Sequence, residues 1–413
     1  PTCSACASAS RGRMASRGNT RMNDPYHPLG DARLYRGVFV ERPNRFLMRC
    51  AVPRYGTVEA FVANPGRMDE LLFPGVTPVA LTRVPADVER RTRWTCVGCD
   101  TPDGEPLFLD THRTNDVAAH LIDQALVPGL KGWRVEQREV PVGHSRFDLQ
   151  LARGSRRLFV EVKSCTLFGG EGVAMFPDAV TDRGRRHLEE LAQMGSGGAA
   201  SERPVVLFIV HSPHIRWFMP DYHTDLAFSR TFLAVRDRVR ILPVGIRWNR
   251  DLSVAPESVR VKIPWKFLDR HVDDRGAYLL LMRLRRPRRI SIGQLGEHRF
   301  EAGSYIYVGS AMAHLSRRVE RHLRRRKRHH WHIDDLRQVA DDVAALPIRS
   351  AQRQECQLAA SVSRYASIAM KGFGSSDCSC DSHLYYRAEP PMEDVEFHRI
   401  LQQFRMRAPS PSP

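Results

Sequence analysis

Short alternating runs of apolar and polar residues fill the first quarter of the chain. Tyr35 to Val40, Phe46 to Val52, Val58 to Ala63, Val76 to Thr82 and Trp94 to Val97 are β-like, and Pro43-Asn44, Asn64-Pro65-Gly66 and Pro102-Asp103-Gly104 punctuate them. Five strands so spaced predict a small barrel or sandwich. The period then changes. Val117, Leu121 and Ala125 recur at helical spacing in Thr114 to Leu126, with Thr114 or Asn115 as the cap and Pro128-Gly129 closing the helix. Residues 134–163 hold three further β-like runs. Thr181 to Met194 reads as a helix that turns Leu188, Leu191 and Met194 inward, and Val205 to Val210 as a strand buried on both faces. Strands mixed with helices in this way predict an α/β unit.

Residues 249–274 carry few signals, and a new domain opens at Gly276 with strands at Ala277 to Leu284 and Ser304 to Val308. A basic helix is expected from Leu315 to about Arg328, with Leu315, Val319 and Leu323 inward. The predicted layout is a tail at 1–25, an all-β barrel at 26–110, an α/β domain at 111–265, a linker at 266–273, a second α/β domain at 274–388 and a tail at 389–413. Ser, Arg and Ala dominate the first two dozen residues, which are expected to be a disordered extension or to precede a start at Met14 or Met22.

Composition narrows the function. The 413 residues carry 63 Lys plus Arg against 46 Asp plus Glu, a formal charge of +17 that favours polyanionic partners, nucleic acid first. No apolar run approaches the ~18 residues of a membrane helix. Nine cysteines, an odd number at low density, fit a reducing compartment better than a disulfide framework, so the cytoplasm is expected.

The richest stretch is Ser145-Arg146-Phe147-Asp148-Leu149-Gln150-Leu151, in which Phe147, Leu149 and Leu151 should point one way and Asp148 and Gln150 the other. A four-residue turn, Arg153-Gly154-Ser155-Arg156, pairs this strand with Leu158 to Lys163, so that Ala152 faces Arg157, Asp148 faces Glu161 and Arg146 faces Lys163. Two carboxylates across one ladder repel unless a divalent cation lies between them. With Lys163 on the same face, the arrangement suits metal-assisted phosphodiester hydrolysis. The competing reading is a solvated hairpin whose acids pair with Arg146 and Lys163.

This Asp, then Glu-x-Lys, resembles the PD-(D/E)XK nuclease core. The longer string Phe159-Val160-Glu161-Val162-Lys163-Ser164-Cys165-Thr166-Leu167, with Phe176 to Gly184, His187-Leu188, Arg45-Phe46-Leu47 and Asn64-Pro65-Gly66-Arg67-Met68, resembles the sugar fermentation stimulation protein family over roughly residues 34–265. That resemblance implies an OB-like barrel, a PD-(D/E)XK-like domain behind it and DNA binding of low sequence preference. It implies metal ligation by Asp148 and Glu161 with Mg²⁺ or Mn²⁺, and a third carboxylate at Glu136 or Glu139. Arg45 and Arg67, beside Phe46 and a flexible Asn64-Pro65-Gly66 turn, would contact phosphates, as would Arg183, which could instead neutralise Asp178 and Asp182.

Farther on, Arg318 and His322 lie four apart on the basic helix, and Tyr278 and Tyr307 lie on the two strands before it. An arginine, an imidazole and two phenols can activate water and stabilise phosphoryl charge, while Glu355 could hold a divalent ion. Residues 274–387 resemble the GIY-YIG nuclease superfamily, and more closely a branch carrying Trp331-His332-Ile333-Asp334 and Phe373 to Leu384. By that resemblance Tyr278 and Tyr307 are the motif tyrosines, Arg318 (or Arg317) the arginine, His322 the following position and Glu355 the metal carboxylate. Members of this branch could bind rather than cut. Residues 283–330 hold fourteen Lys or Arg against three Glu, and Arg324 and Arg325 in that run suit phosphate tracking.

Cys356, Cys378, Cys380 and His383 offer four soft ligands for zinc, against a plainer reading as small side chains packed near a Ser-rich turn. The pairs Cys3/Cys6 and Cys96/Cys99 are not expected to form a zinc ribbon. The expectation is a multidomain DNA-binding protein, an OB-like barrel followed by PD-(D/E)XK-like and GIY-YIG-like α/β domains, with nuclease activity. The alternatives are a non-catalytic DNA-binding regulator of sugar metabolism or scaffold, and RNA processing. Oligomeric state is not legible.

Overall fold

The computed structural model describes residues 25–85, 87–142, 145–195 and 203–409. The Cys3/Cys6 pair, nearly all of the expected N-terminal tail and the last four residues lie outside the described residues.

The barrel runs through β1 (Leu34–Asn44), β2 (Leu47–Val52), β3 (Gly56–Val62), β4 (Pro78–Arg83), β5 (Trp94–Asp100) and β6 (Pro106–Phe108). Neighbours pair in the order β3-β2-β1-β4-β5-β6, and a parallel β3–β5 pairing closes five strands into the OB barrel. Alternation explains the closure: Met48, Cys50 and Val52 of β2 and Ala60 and Val62 of β3 are buried between exposed neighbours and fill the interior with Val79, Leu81 and Cys96.

The α/β domain comprises α1 (Thr114–Asp123), β7 (Arg134–Val142), β8 (Ser145–Arg153), β9 (Arg156–Cys165), β10 (Leu167–Gly169), β11 (Val173–Phe176), α2 (Asp182–Met194), β12 (Val205–Val210), β13 (Trp217–Pro220), α3 (Leu226–Ala234), β14 (Arg240–Trp248), β15 (Val254–Arg260) and α4 (Trp265–His271). Its central sheet has the order β15-β14-β12-β9-β8-β7, with β9, β12 and β14 parallel, and β10-β11-β13 form a small second sheet. Every residue of β12 is buried. Val205, Leu207 and Ile209 face the α1 side, while Val206, Phe208 and Val210 face α2 and α3, as expected of a parallel strand covered on both faces.

The third domain contains β16 (Gly276–Leu284), β17 (Arg288–Ser291), β18 (Glu297–Phe300), β19 (Gly303–Ala311), α5 (Leu315–Leu323), α6 (His332–Val339), β20 (Asp342–Arg349), α7 (Glu355–Tyr365), β21 (Ser367–Ile368), β22 (Leu384–Arg387) and α8 (Val395–Arg405). Its antiparallel sheet runs β20-β16-β19-β22-β21.

Several expectations need correction. Helix α1 ends at Asp123 and not at Leu126, because Asp123 turns back to accept the Val135 N–H at 3.0 Å and Ala125 takes φ 56°. Its N-cap is Arg113. Met194 and Leu323 stand 38% and 37% exposed at the ends of their helices, so neither joins the core stripe. The expected linker at 266–273 is largely α4, whose Leu268 is buried in the α/β core. The expected tail at 389–413 carries α8, which packs Phe397, Ile400, Leu401 and Phe404 on the α7 side of the third domain. Helix α5 stops five residues before Arg328, since Arg324 is extended and Lys327 turns inward to Asp334 at 2.8 Å. Adjacent cations along one helix would repel, so breaking it there relieves that cost.

Candidate active site

The β8–β9 hairpin keeps the predicted register from Arg153↔Arg156 to Leu149↔Val160. The ladder then stops short of the expected Asp148↔Glu161 and Arg146↔Lys163 pairs. Asp148 Oδ2 instead accepts the Val162 backbone N–H at 2.7 Å, and Oδ1 accepts Asn115 Nδ2 of α1 at 2.9 Å. Beside it, Glu139 of β7 takes φ 51°. Across this kink the side-chain alternation breaks: Leu149 and Leu151 pack on the α1 side, whereas Phe147 packs with Phe159 on the α2 side. The kink thus frees the Asp148 carboxylate from the ladder and brings it to the same cleft as Glu161.

Glu161 is 2% exposed. Its Oε1 accepts from Lys163 Nζ and His187 Nδ1, and its Oε2 is buried with no hydrogen-bond partner. Burial pushes this carboxyl up, but the bonds to His187 and Lys163 win and hold it below the usual range. Asp148 is shifted the other way, raised by burial and by the Glu161 charge despite the Val162 N–H, Lys163 and Asn115. An ionised acid with an unused oxygen beside a second acid short of positive charge is a donor set for a hard divalent cation. The residues therefore fit such an ion.

The cleft, about 760 Å³, is lined by Asp148, Glu161 and Lys163, by Arg183 from the first turn of α2, and by Arg45, Asn64 and Gly66 from the barrel. Arg183 Nε lies 3.5 Å from His187 Nε2, continuing the chain to Glu161, while Arg185 is the residue that pairs with Asp182. Of the two candidates for a third carboxylate, Glu139 lines the cleft, and Glu136 is engaged outside it by Arg157 and Gln150. Arg146 pairs loosely with Glu139 at 4.0 Å and not with Asp148.

The Asn64-Pro65-Gly66 turn is pinned. Arg42 donates to the carbonyls of Arg45, Asn64, Gly66 and Arg67 at 2.6 to 2.8 Å, and the Arg67 and Met68 N–H groups donate to Asp178. A Cβ at Gly66 would lie 2.1 Å from Asp178 Oδ2, so the close approach of barrel and α/β domain requires glycine. Phe46 is 46% exposed and stacks on Phe61. Arg67 faces away from the cleft, toward a small cavity shared with α8. A basic and aromatic hollow on the barrel, lined by Arg33, Tyr35, Phe61, Arg83 and Arg90, shares His112 with the cleft. Arg42, Asn115, Asp178, His187 and this hollow escaped the sequence reading of function; His187 and Asp178 stand in quoted motifs and Asn115 reads from the sequence as a helix cap, whereas Arg42 donates to carbonyls and leaves no pattern.

In the third domain Tyr278 OH lies 3.0 Å from His322 Nε2, and the Tyr278 and Tyr307 rings are 6.3 Å apart. Tyr278 pairs with Gly309 across β16–β19, and a Cβ at Gly309 would lie 2.4 Å from the phenol oxygen. Arg318 reaches Tyr278 and stacks at 4.4 Å on Trp331, whose ring also takes Arg321 at 4.4 Å; Arg317 is exposed. Burial raises both phenols, Tyr278 further through Tyr307 and Tyr307 through Glu355. The unforeseen organiser is Asp334, fully buried, which accepts from Arg321 at 3.0 Å, Lys327 at 2.8 Å and the His330 N–H at 2.9 Å. Burial opposes its ionisation, but these donors and His322 hold it well below the usual carboxylate range. Glu355 accepts from Ser310, and its Oε1 lies 3.2 Å from His383 Nδ1. Arg324 and Arg325 are exposed, Arg325 donating to the Gln338 carbonyl. Among the described residues, no helix is long and apolar enough to cross a membrane.

An OB barrel docked on a restriction-endonuclease-like α/β domain, followed by a GIY-YIG-like domain, defines the class. Family models match accordingly: "SfsA N-terminal OB domain" over residues 40–105, "Sugar fermentation stimulation protein RE domain" over 112–251, and "Domain of unknown function DUF123" over 277–406. The sugar fermentation stimulation protein homolog of Methanothermobacter thermautotrophicus is 37% identical over 233 residues, covering 56% of this chain and 93% of that protein. That of Moorella thermoacetica is 38% identical over 202 residues, covering 48% and 84%. A structure of Pyrococcus furiosus SfsA in complex with Ca²⁺ matches with TM-score 0.50 and 27% identity over 56% of this chain and 96% of that one. The chain belongs to the sugar fermentation stimulation protein family, with a DUF123 domain fused behind it.

Proposed function

We propose that this protein is a metal-dependent nuclease acting on DNA, with the reacting phosphodiester held in the Asp148/Glu161/Lys163 cleft and Mg²⁺ or Mn²⁺ as cofactor. The observation that carries this reading is the buried, unpartnered Oε2 of Glu161 beside the charge-deficient Asp148. The Ca²⁺ bound by the Pyrococcus relative supports a hard divalent ion. Asp148 and Glu161 would hold the ion, which when bound lowers the pKa of a water and neutralises phosphoryl charge. Lys163 then has a second anion to serve, the phosphate, once its bond to Glu161 loosens. His187 keeps Glu161 oriented from α2. Arg45 and Arg183 on the cleft rim, with Phe46 and the basic hollow on the barrel, supply phosphate contacts and faces for bases. Arg324 and Arg325 extend the basic surface on the third domain, where Tyr278, Tyr307, Arg318, His322 and Glu355 would form a second phosphodiester site.

The test is digestion of single- and double-stranded DNA and RNA with Mg²⁺ or Mn²⁺, comparing wild type with Glu161→Ala, Glu355→Ala and the double variant. Cleavage lost with Glu161→Ala supports the reading. Salt-sensitive binding without cleavage under any condition would replace it with a DNA-binding regulator or scaffold, and a preference for RNA would make it an RNA-processing enzyme.

A further inference from the structure

The loop at residues 369–383, between β21 and β22, has no regular secondary structure, yet it is held in one arrangement. Phe373 anchors it in the core, and the backbone bonds Gly372 N–H to Asp381 at 2.8 Å and His383 N–H to Phe373 at 2.8 Å close it on itself. Those bonds leave its outer part, with Cys378 and Cys380, hanging over the first turn of α7. There Cys356 meets both sulfurs. The Sγ atoms of Cys356, Cys378 and Cys380 and a ring nitrogen of His383 all lie within 4.8 Å of one another, and among the described residues no other group of three or more metal-ligating side chains comes together in this way.

We propose that Cys356, Cys378, Cys380 and His383 bind one zinc ion that staples this loop to α7, with Glu355 as the outer partner of the histidine. The distances favour a metal over four chance neighbours. Zinc–sulfur bonds of about 2.3 Å and a zinc–nitrogen bond of about 2.0 Å put tetrahedral ligand atoms about 3.5 to 3.8 Å apart. Cys378 Sγ already stands 3.5 Å from His383 Nε2. The widest separation has only about 1 Å to close. Three thiolates and one imidazole select a soft, tetrahedral ion.

His383 would use Nε2 toward the metal, since that is the nitrogen facing Cys378. Nδ1 is left toward Glu355 Oε1 at 3.2 Å, close but out of line for a full hydrogen bond. A metal on Nε2 fixes the tautomer that carries its proton on Nδ1, and a small ring rotation completes that bond. Zinc would thereby also hold Glu355 in place near Tyr278 and Tyr307, which makes Glu355 a positioning residue for the ion. This inference does not depend on either site cleaving nucleic acid.

The experiment is metal analysis of the full-length protein purified without chelators from zinc-replete cells, together with the optical spectrum of the cobalt-substituted protein. One zinc per chain, thiolate-to-cobalt charge-transfer bands, and loss of both in Cys380→Ser are expected. The exposed Cys356→Ser should keep the fold and weaken the same bands, and the wild-type spectrum decides the matter if Cys380→Ser does not fold. Glu355→Gln should retain the bands but lower zinc affinity about 10- to 100-fold in competition with a chromophoric chelator. A protein free of zinc, a cobalt spectrum without thiolate bands, or a disulfide among these cysteines in the freshly isolated chain would overturn the proposal.

Discussion

The α/β cleft and the tyrosine site of the third domain carry related side chains in opposite states of completion. In the cleft, Glu161 keeps one buried oxygen without a partner and Asp148 is raised by burial and by a like charge. In the third domain, Asp334 is saturated by Arg321, Lys327 and backbone N–H groups, and Glu355 is engaged by Ser310 and faces His383. Unbalanced negative charge favours a cation, whereas a carboxylate saturated as Asp334 is positions its neighbours. The number of acids in a site therefore says less about metal binding than the count of their unused lone pairs does.

The largest expected effect tests that inequality directly. Glu161→Ala should reduce divalent-dependent cleavage about a thousandfold, the rate equivalent of about 4 kcal/mol of lost transition-state stabilisation, whereas Arg318→Ala should cost no more than about tenfold. Equal losses in initial rate would erase the distinction.

Glu70 sharpens the comparison from outside both sites. Like Glu161 it is buried with an unpartnered oxygen, but burial and its acidic neighbours Asp178, Asp69 and Asp221 push it up to about 8. Its unfolded value is about 4.3. Below that pH both states are protonated and the residue has no effect; above it the unfolded chain ionises while the native one does not, so a penalty grows until about pH 8 and is constant beyond. Glu70→Gln should therefore leave stability unchanged at acidic pH and raise it near neutrality by on the order of 3 kcal/mol. Denaturant melts across that range check this, and a gain independent of pH would show that Glu70 is charged in the fold as Glu161 is.

Calcium should stabilise the wild type by about 2.7 kcal/mol at a hundredfold excess over its Kd. Thermal melts of Asp148→Asn should show no such shift, and a retained shift would place the ion elsewhere. The same substitution without metal is the smallest effect. An amide at 148 can still accept the Val162 N–H, and Asn115 can turn its carbonyl to the new NH2 group, while the repulsion with Glu161 is shed, so the metal-free variant should gain on the order of 1 kcal/mol. Destabilisation instead would mean that the loss of the Asn115 bond outweighs the repulsion between the two carboxylates.

Features set by neighbours along the chain were legible in the sequence. The five barrel strands, the buried β12, the span of α2 to within one residue and the hairpin register as far as Leu149↔Val160 follow from alternation, helical spacing and turn length within a few residues. The two constellations were also found as residue types, since Asp148, Glu161 and Lys163 share one hairpin, and Arg318 and His322 one helix. The tertiary structure alone decided what those groups do. Asn115 reaches Asp148 across 33 residues, His187 reaches Glu161 across 26, and the Arg42 grip on the 64–67 turn passes through carbonyls that every residue possesses. Likewise α8 was missed because its partners, α7 and the third-domain sheet, precede it by dozens of residues, while the inward turn of Lys327 depends on a carboxylate already buried. Local pattern fixes where the backbone can be strand, helix or turn; the desolvation and pairing that set the charge of each acid exist only once distant segments have packed around it.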